Sequence, residues 1–132
     1  MSLKISLKPM EKIFIGGAVV QNGDSPIELN VLNDVPLLRE KDVLTEQEAV
    51  TPCARVYLCV QLMYMDRSNL HVYQQNYRQL IEKLLMASPD SVQYLAEINN
   101  FLASGRYYQA LKCARKLMEY EEGLMQHAKQ HA

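Results

Sequence analysis

Three cysteines, three histidines and fourteen lysines and arginines are the groups in this 132-residue chain with the most chemical potential. His127 and His131 stand four residues apart, a spacing at which two imidazoles on a helix can share a metal ion. No glutamate adjoins them in a metalloprotease arrangement, and Gly123 just before them reads as a helix end. Cys53 and Cys59 are six apart on one helix, so they point to different faces and lack zinc-ligand spacing. A nucleophilic cysteine needs a positioned base, and nothing places His71 or the other histidines near any thiol. Gly16-Gly17 is a turn rather than a phosphate cradle, because no Gly-Lys-Ser or Gly-Lys-Thr follows it. The inventory excludes the common catalytic constellations and implies no metal and no cofactor.

What remains is charge. Lys4 and Lys8 alternate with apolar residues near the start, and Arg39 closes a short apolar run. Farther on, Lys112, Arg115 and Lys116 fall on one flank of a helix with Arg106 at its start. That flank reads either as a solvated face or as a patch for RNA or an acidic partner. The net charge is −1, and residues 1–45 carry five basic side chains against six acidic ones. Phosphate contacts dominate nucleic-acid affinity, so RNA binding here needs a local patch made by folding.

The elements that would position these groups divide the chain. Leu3, Ile5 and Leu7 alternate with Lys4, Ser6 and Lys8, the period of a strand with one buried face. Further strands are expected near 11–15, 18–21, 27–32 and 36–39, with Asn22-Gly23 as a strong hairpin turn signal. Thr45 with Glu48 matches a capping box, and Thr51-Pro52 starts a helix running to about Asp66. Ser68 reads as the cap of a second helix over about 69–87. Ser88-Pro89 starts a third that ends at Gly105, a residue suited to a left-handed C-cap. A fourth runs from Arg106 to about Glu122, with Leu111, Ala114 and Leu117 or Met118 on its apolar face and a fraying tail behind it. Residues 101–121 look like the turn and second helix of one tetratricopeptide hairpin; a single copy reads as a helical hairpin with small residues at its crossing. The fold class is α+β: a small antiparallel β head over 1–45 and a four-helix body over 46–132.

Neither a secretory signal nor a membrane span is expected from these residues, and three cysteines at unpatterned spacing read as reduced, buried thiols. A cytoplasmic protein is expected, with no membrane contact. Eight tyrosines and five methionines (Met63, Met65, Met86, Met118 and Met125) give the helical body an adaptable apolar supply, part of which suits an interface.

The segment from Leu3 to Asp24, LKISLKPMEKIFIGGAVVQNGD, followed by LLREKDVLTEQEAVTPCARVYLCVQLMYMD, resembles the flagellum biosynthesis repressor family FlbT over about half the chain. The resemblance implies a post-transcriptional regulator that associates with the 5′ untranslated leader of flagellin mRNA and works alongside FlaF, a small helical flagellar regulator. The head also resembles the carbon-storage regulator family. Its first strand matches LKISLKPMEKIFIGG, and its Asn-Ala-Pro and Val-His-Arg-Glu segment matches Asn33, Pro36 and Leu37 to Glu40. That likeness implies RNA contact through Lys4, Ile5, Ser6, Lys8, Leu37, Leu38, Arg39 and Glu40, with Arg39 central. It departs from that family at Leu7-Lys8, where two arginines are usual, and its segment between the glycines and Arg39 is shorter. The family works as an intertwined dimer, so a homo-oligomer is open. Two other roles are open for Arg39, pairing with Glu40 or Asp42 and docking the head on the helices. The second function class is a protein-interaction module that binds a FlaF-like regulator or flagellin through the helical body.

Overall fold

The computed structural model describes residues 3–130, and the chain divides between Val43 and Leu44 into two compact units. The first holds five strands: β1 (Leu3–Leu7), β2 (Lys12–Ile15), β3 (Ala18–Gln21), β4 (Ile27–Val31) and β5 (Leu37–Arg39). β1 pairs antiparallel with β4, in the register Leu3↔Val31, Ile5↔Leu29 and Leu7↔Ile27. β2 is the centre of a second sheet, with β3 on one side and β5 on the other. The period-2 pattern then does its work. Ile5, Leu7 and Ile13 are buried together, with Ile15, Leu29, Val31 and Leu37 packed around them. Each such side chain stabilises by roughly 1.5–3 kcal/mol when withdrawn from water.

Two turns carry left-handed backbone. Gly16 (φ +57°) turns β2 into β3, and its N–H donates to the carbonyl of Pro36 at 2.8 Å. The turn Lys8–Glu11 is closed by the Glu11 N–H on the Lys8 carbonyl, with Pro9 second and Met10 third at φ +63°. That is the layout of a type II turn, in which glycine usually takes the place of Met10. Asn22-Gly23 is not the tight hairpin turn that its residue types predict, since β4 pairs with β1 and not with β3. Asn22 is instead buried, and its amide donates to the carbonyls of Lys8 (2.8 Å) and Ser25 (2.9 Å).

The second unit holds α1 (Pro52–Met65), α2 (Leu70–Ala87), α3 (Val92–Ala103) and α4 (Tyr107–Gln130). Ahead of them, Thr45 and Glu48 form the reciprocal capping box, and the Thr51 hydroxyl accepts the Ala54 N–H at 3.1 Å. α1 is the central helix, packed by α2 on one side and α4 on the other, while α3 packs on α4. Val56, Tyr57, Val60 and Met63 are therefore fully buried. Cys53 and Cys59 are both interior and free despite their different faces, because α1 is enclosed on several sides. Gly105 (φ +73°) ends α3 in a Schellman motif, in which Arg106 N–H donates to Phe101 O and Gly105 N–H to Leu102 O. Ala110 and Ala114 let α4 approach its neighbours closely, both at 0% exposure.

Three expected boundaries move. Gly123 lies inside α4, which continues to Gln130, so neither the helix end nor the fraying tail is seen over those residues. Glycine within a helix costs only about 1 kcal/mol, which does not by itself end one. Ser68 does not cap α2. Its hydroxyl donates to Asp66, and a 3-10 turn over Arg67–Asn69 precedes the helix. A similar turn over Pro89–Ser91 precedes α3, with no side-chain cap from Ser88. Among the described residues no helix is long and apolar enough to cross a membrane.

Candidate nucleic-acid interface

Strand pairing puts Lys4 opposite Asn30 and Ser6 opposite Glu28 on one face of the β1–β4 ribbon, while Ile5 and Leu7 take the other. Lys4, Ser6 and Lys8 are all exposed. Arg39, on β5 of the other sheet, reaches this ribbon. Its Nη1 donates to the Ser6 carbonyl at 3.0 Å and to Glu11 Oε2 at 3.3 Å. Glu11 Oε1 in turn accepts the Lys8 N–H at 2.9 Å. This backbone hydrogen bond, with the Arg39 guanidinium beside it, holds the Glu11 carboxyl below its usual range. Folding thus joins two segments that are thirty-three residues apart. They line an open cleft of about 390 Å³ with Lys8, Glu11, Glu28 and Arg39 at its walls.

The arrangement qualifies several expected contacts. Arg39 pairs with Glu11 at 3.3 Å, and Glu40 lies 3.9 Å from Lys12. Leu38 and Ile5 are buried, at 2% and 5% exposure, so their side chains cannot stack on a base. Leu37 is packed against the apolar cluster. Lys4, Ser6, Lys8, Arg39 and Glu40 keep exposed or partly exposed positions. The cleft balances two cations against two carboxylates, so it offers hydrogen-bonding edges more than a phosphate track.

The basic flank of α4 separates as well. Arg115 Nη2 donates to the Tyr57 hydroxyl at 2.9 Å, and its guanidinium lies over that ring at 5.0 Å. It is half-buried and braces α4 against α1. Lys112 lies 5.1 Å from the Tyr108 ring centroid, while Arg106 and Lys116 are exposed. Arg67, which the sequence pattern did not single out, covers Tyr107 at 4.5 Å. Only Tyr108 among the tyrosines is exposed, at 41%.

Burial pushes the Cys53 thiol up to about 12, with Glu121 adding to it, and the Cys59 thiol up to about 11. These thiols are poor nucleophiles at neutral pH. Of the His127/His131 pair, His131 lies outside the described residues. Among the described ones no three metal-ligating side chains converge. Two buried polar residues hold the chain's connections, Asn22, which the sequence flagged only as a turn residue, and Gln61, which it did not flag. Asn22 pins the loop after β3, and Gln61 clamps both backbone groups of Leu44 at 2.8 and 3.0 Å. Only burial reveals these roles, since Asn22-Gly23 reads as a turn and Gln61 belongs to no motif.

The β unit carries a strand ribbon with a charge-paired cleft, and the helical unit carries open grooves. The chain belongs to the FlbT family: the family described as flagellar protein FlbT matches residues 3–125. It is 40% identical over 125 residues to a probable flagellum biosynthesis repressor protein FlbT of Rhodopseudomonas palustris, covering 95% of this chain and 98% of that one. The corresponding protein of Bradyrhizobium diazoefficiens is 43% identical over 94% of this chain and 85% of its own. The flagellum biosynthesis repressor protein FlbT of Caulobacter vibrioides is 35% identical, with 96% and 92% covered. The family match runs through the helical unit, beyond the Leu3–Asp66 stretch whose motifs are legible. No solved structure matches the chain significantly.

Proposed function

We propose that this protein is a cytoplasmic, non-enzymatic regulator of flagellum biogenesis that represses flagellin expression by binding the 5′ untranslated leader of flagellin mRNA. The exposed face of β1 and the Arg39 cleft would form the contact. The observation that carries the reading is the meeting of β1 with Arg39 through the Ser6 carbonyl, at 3.0 Å. The names of the relatives as flagellum biosynthesis repressors support the regulatory role. In this scheme Lys4 and Lys8 neutralise phosphates, and Ser6, Glu28 and the guanidinium edge meet base edges or ribose hydroxyls. Repression would follow from covering the leader or recruiting other machinery.

The test is the double charge reversal Lys4→Glu with Lys8→Glu in the full chain. Both residues are exposed, so folding should survive. Affinity for the leader should fall on the order of tenfold or more. Unchanged affinity in a folded variant would take the β1 face out of the interface.

A second reading is favoured by an open groove of about 430 Å³ between α1 and α2, floored by Leu58, Leu62 and Leu80 with Arg55 and Lys83 at its rim. A FlaF-like helical regulator or flagellin could lay an amphipathic helix there. Leu80→Asp would abolish such docking and leave RNA affinity untouched.

A further inference from the structure

The apolar stripe of α4 outruns the helices that cover it. Ala110, Ala114 and Leu117 are fully buried, and Met118 and Glu121 are half-buried, with Glu121 Oε2 accepting the Cys53 N–H at the start of α1. The same face continues at Leu124, Met125 and Ala128 by helical spacing. From Glu122 to Gln130, however, every residue is exposed, with Leu124 at 47% and Met125 at 48%. A helical segment that buries little is marginal in water, because packing of an amphipathic face supplies most helix stability. Beside it runs an open groove of about 410 Å³, bounded by Thr51, Ala54, Met118 and Met125.

Charge identifies what covers this face. Glu122 and Lys129 are seven residues apart, so they lie on one flank of the stripe about two turns from each other. Among the described residues neither makes an ion pair within the chain. When two such helices cross antiparallel, each flank meets the same flank of its partner. A twofold axis close to Met125 then sets Glu122 of each copy against Lys129 of the other, twice. A parallel pairing sets that flank against the one carrying Tyr120 and His127 and leaves both charges unmatched.

We propose that residues 118–130 of α4 are a self-complementary docking surface for a second copy of this chain, paired antiparallel through Leu124 and Met125. The contact is isologous and closes at two copies. One helical segment per copy falls short of the roughly 1,200 Å² typical of tight complexes, so the dimer is weak and concentration-dependent.

Sedimentation of the full chain over a concentration series tests this. The wild type should pass from monomer to dimer below about 1 mM. Leu124→Asp, at an exposed site, should keep the circular dichroism of the fold and remain monomeric. Lys129→Glu and Glu122→Lys should each weaken the dimer on the order of tenfold, since each replaces two attractive contacts by two repulsive ones. The double variant should restore it. A monomer at every concentration would overturn the proposal, as would a dimer indifferent to Leu124→Asp. Single swaps that weaken association without rescue by the double swap would overturn the antiparallel geometry.

Discussion

Arg39 does two jobs with one guanidinium. Its contacts to the Ser6 carbonyl and to Glu11 tie the two small sheets of the β unit together. It is also the only arginine lining the cleft proposed to meet RNA. Removing it therefore affects both properties. Arg39→Ala should weaken leader binding by more than about 1 kcal/mol, the worth of one charge-assisted contact. It should also lower stability to urea by a similar amount, because a carbonyl and a carboxylate lose their donor. A loss of stability with unchanged RNA affinity would make Arg39 a brace alone. This coupling was not legible in the sequence. Arg39 and Glu11 are twenty-eight residues apart, and only the pairing of β5 with β2 brings them together.

At the scale of elements, sequence pattern was a good guide where one physical signal dominated. The alternation of Leu3, Ile5 and Leu7 placed β1, Thr51-Pro52 started α1, and Gly105 ended α3, each through local stereochemistry. Signals failed where a side chain had a better partner elsewhere. Asn22 resembles a turn residue but is buried as a donor to loop carbonyls. Ser68 resembles a cap but donates to Asp66. Asp66 organises the junction of α1 and α2, accepting hydrogen bonds from Ser68 (2.6 Å), Asn69 (3.0 Å) and Tyr73 (2.6 Å). The bonds from Ser68, Tyr73 and Asn69 bring its carboxyl down from 3.8 to about 2. A carboxyl with a depressed folded-state pKa contributes stability that is complete above its ordinary value and lost as pH falls through the lower one. The stability gap between wild type and Asp66→Asn should therefore shrink as pH falls from 4 to 2, read by urea titration. A gap constant over that window would mean that the Asp66 bonds do not favour its charged form. The α4 packing face has its own test. Leu111 is 3% exposed, so Leu111→Asp should cost several kcal/mol by burying an unpaired charge. A melting temperature near that of wild type would place Leu111 on an open surface.

For the whole molecule, net charge limits what kind of binding is available. The chain carries −1, and among the described residues the proposed RNA face presents Lys4 and Lys8 without an ion pair within 4.0 Å, beside an Arg39 engaged with Glu11. Neutralising two phosphates of a single strand gives a slope of about −1.4 in log affinity against log salt, far shallower than a basic RNA-binding protein shows. Affinity would rest on base and ribose contacts, which suits a regulator that selects one leader over others. The measurement that tests this most directly is the affinity of the purified full chain for a flagellin mRNA leader and for a scrambled RNA of equal length, across a salt series. Preference for the leader, with a slope near that shallow value, is the expected result. Equal binding to both RNAs, or no binding even at low salt, would contradict it.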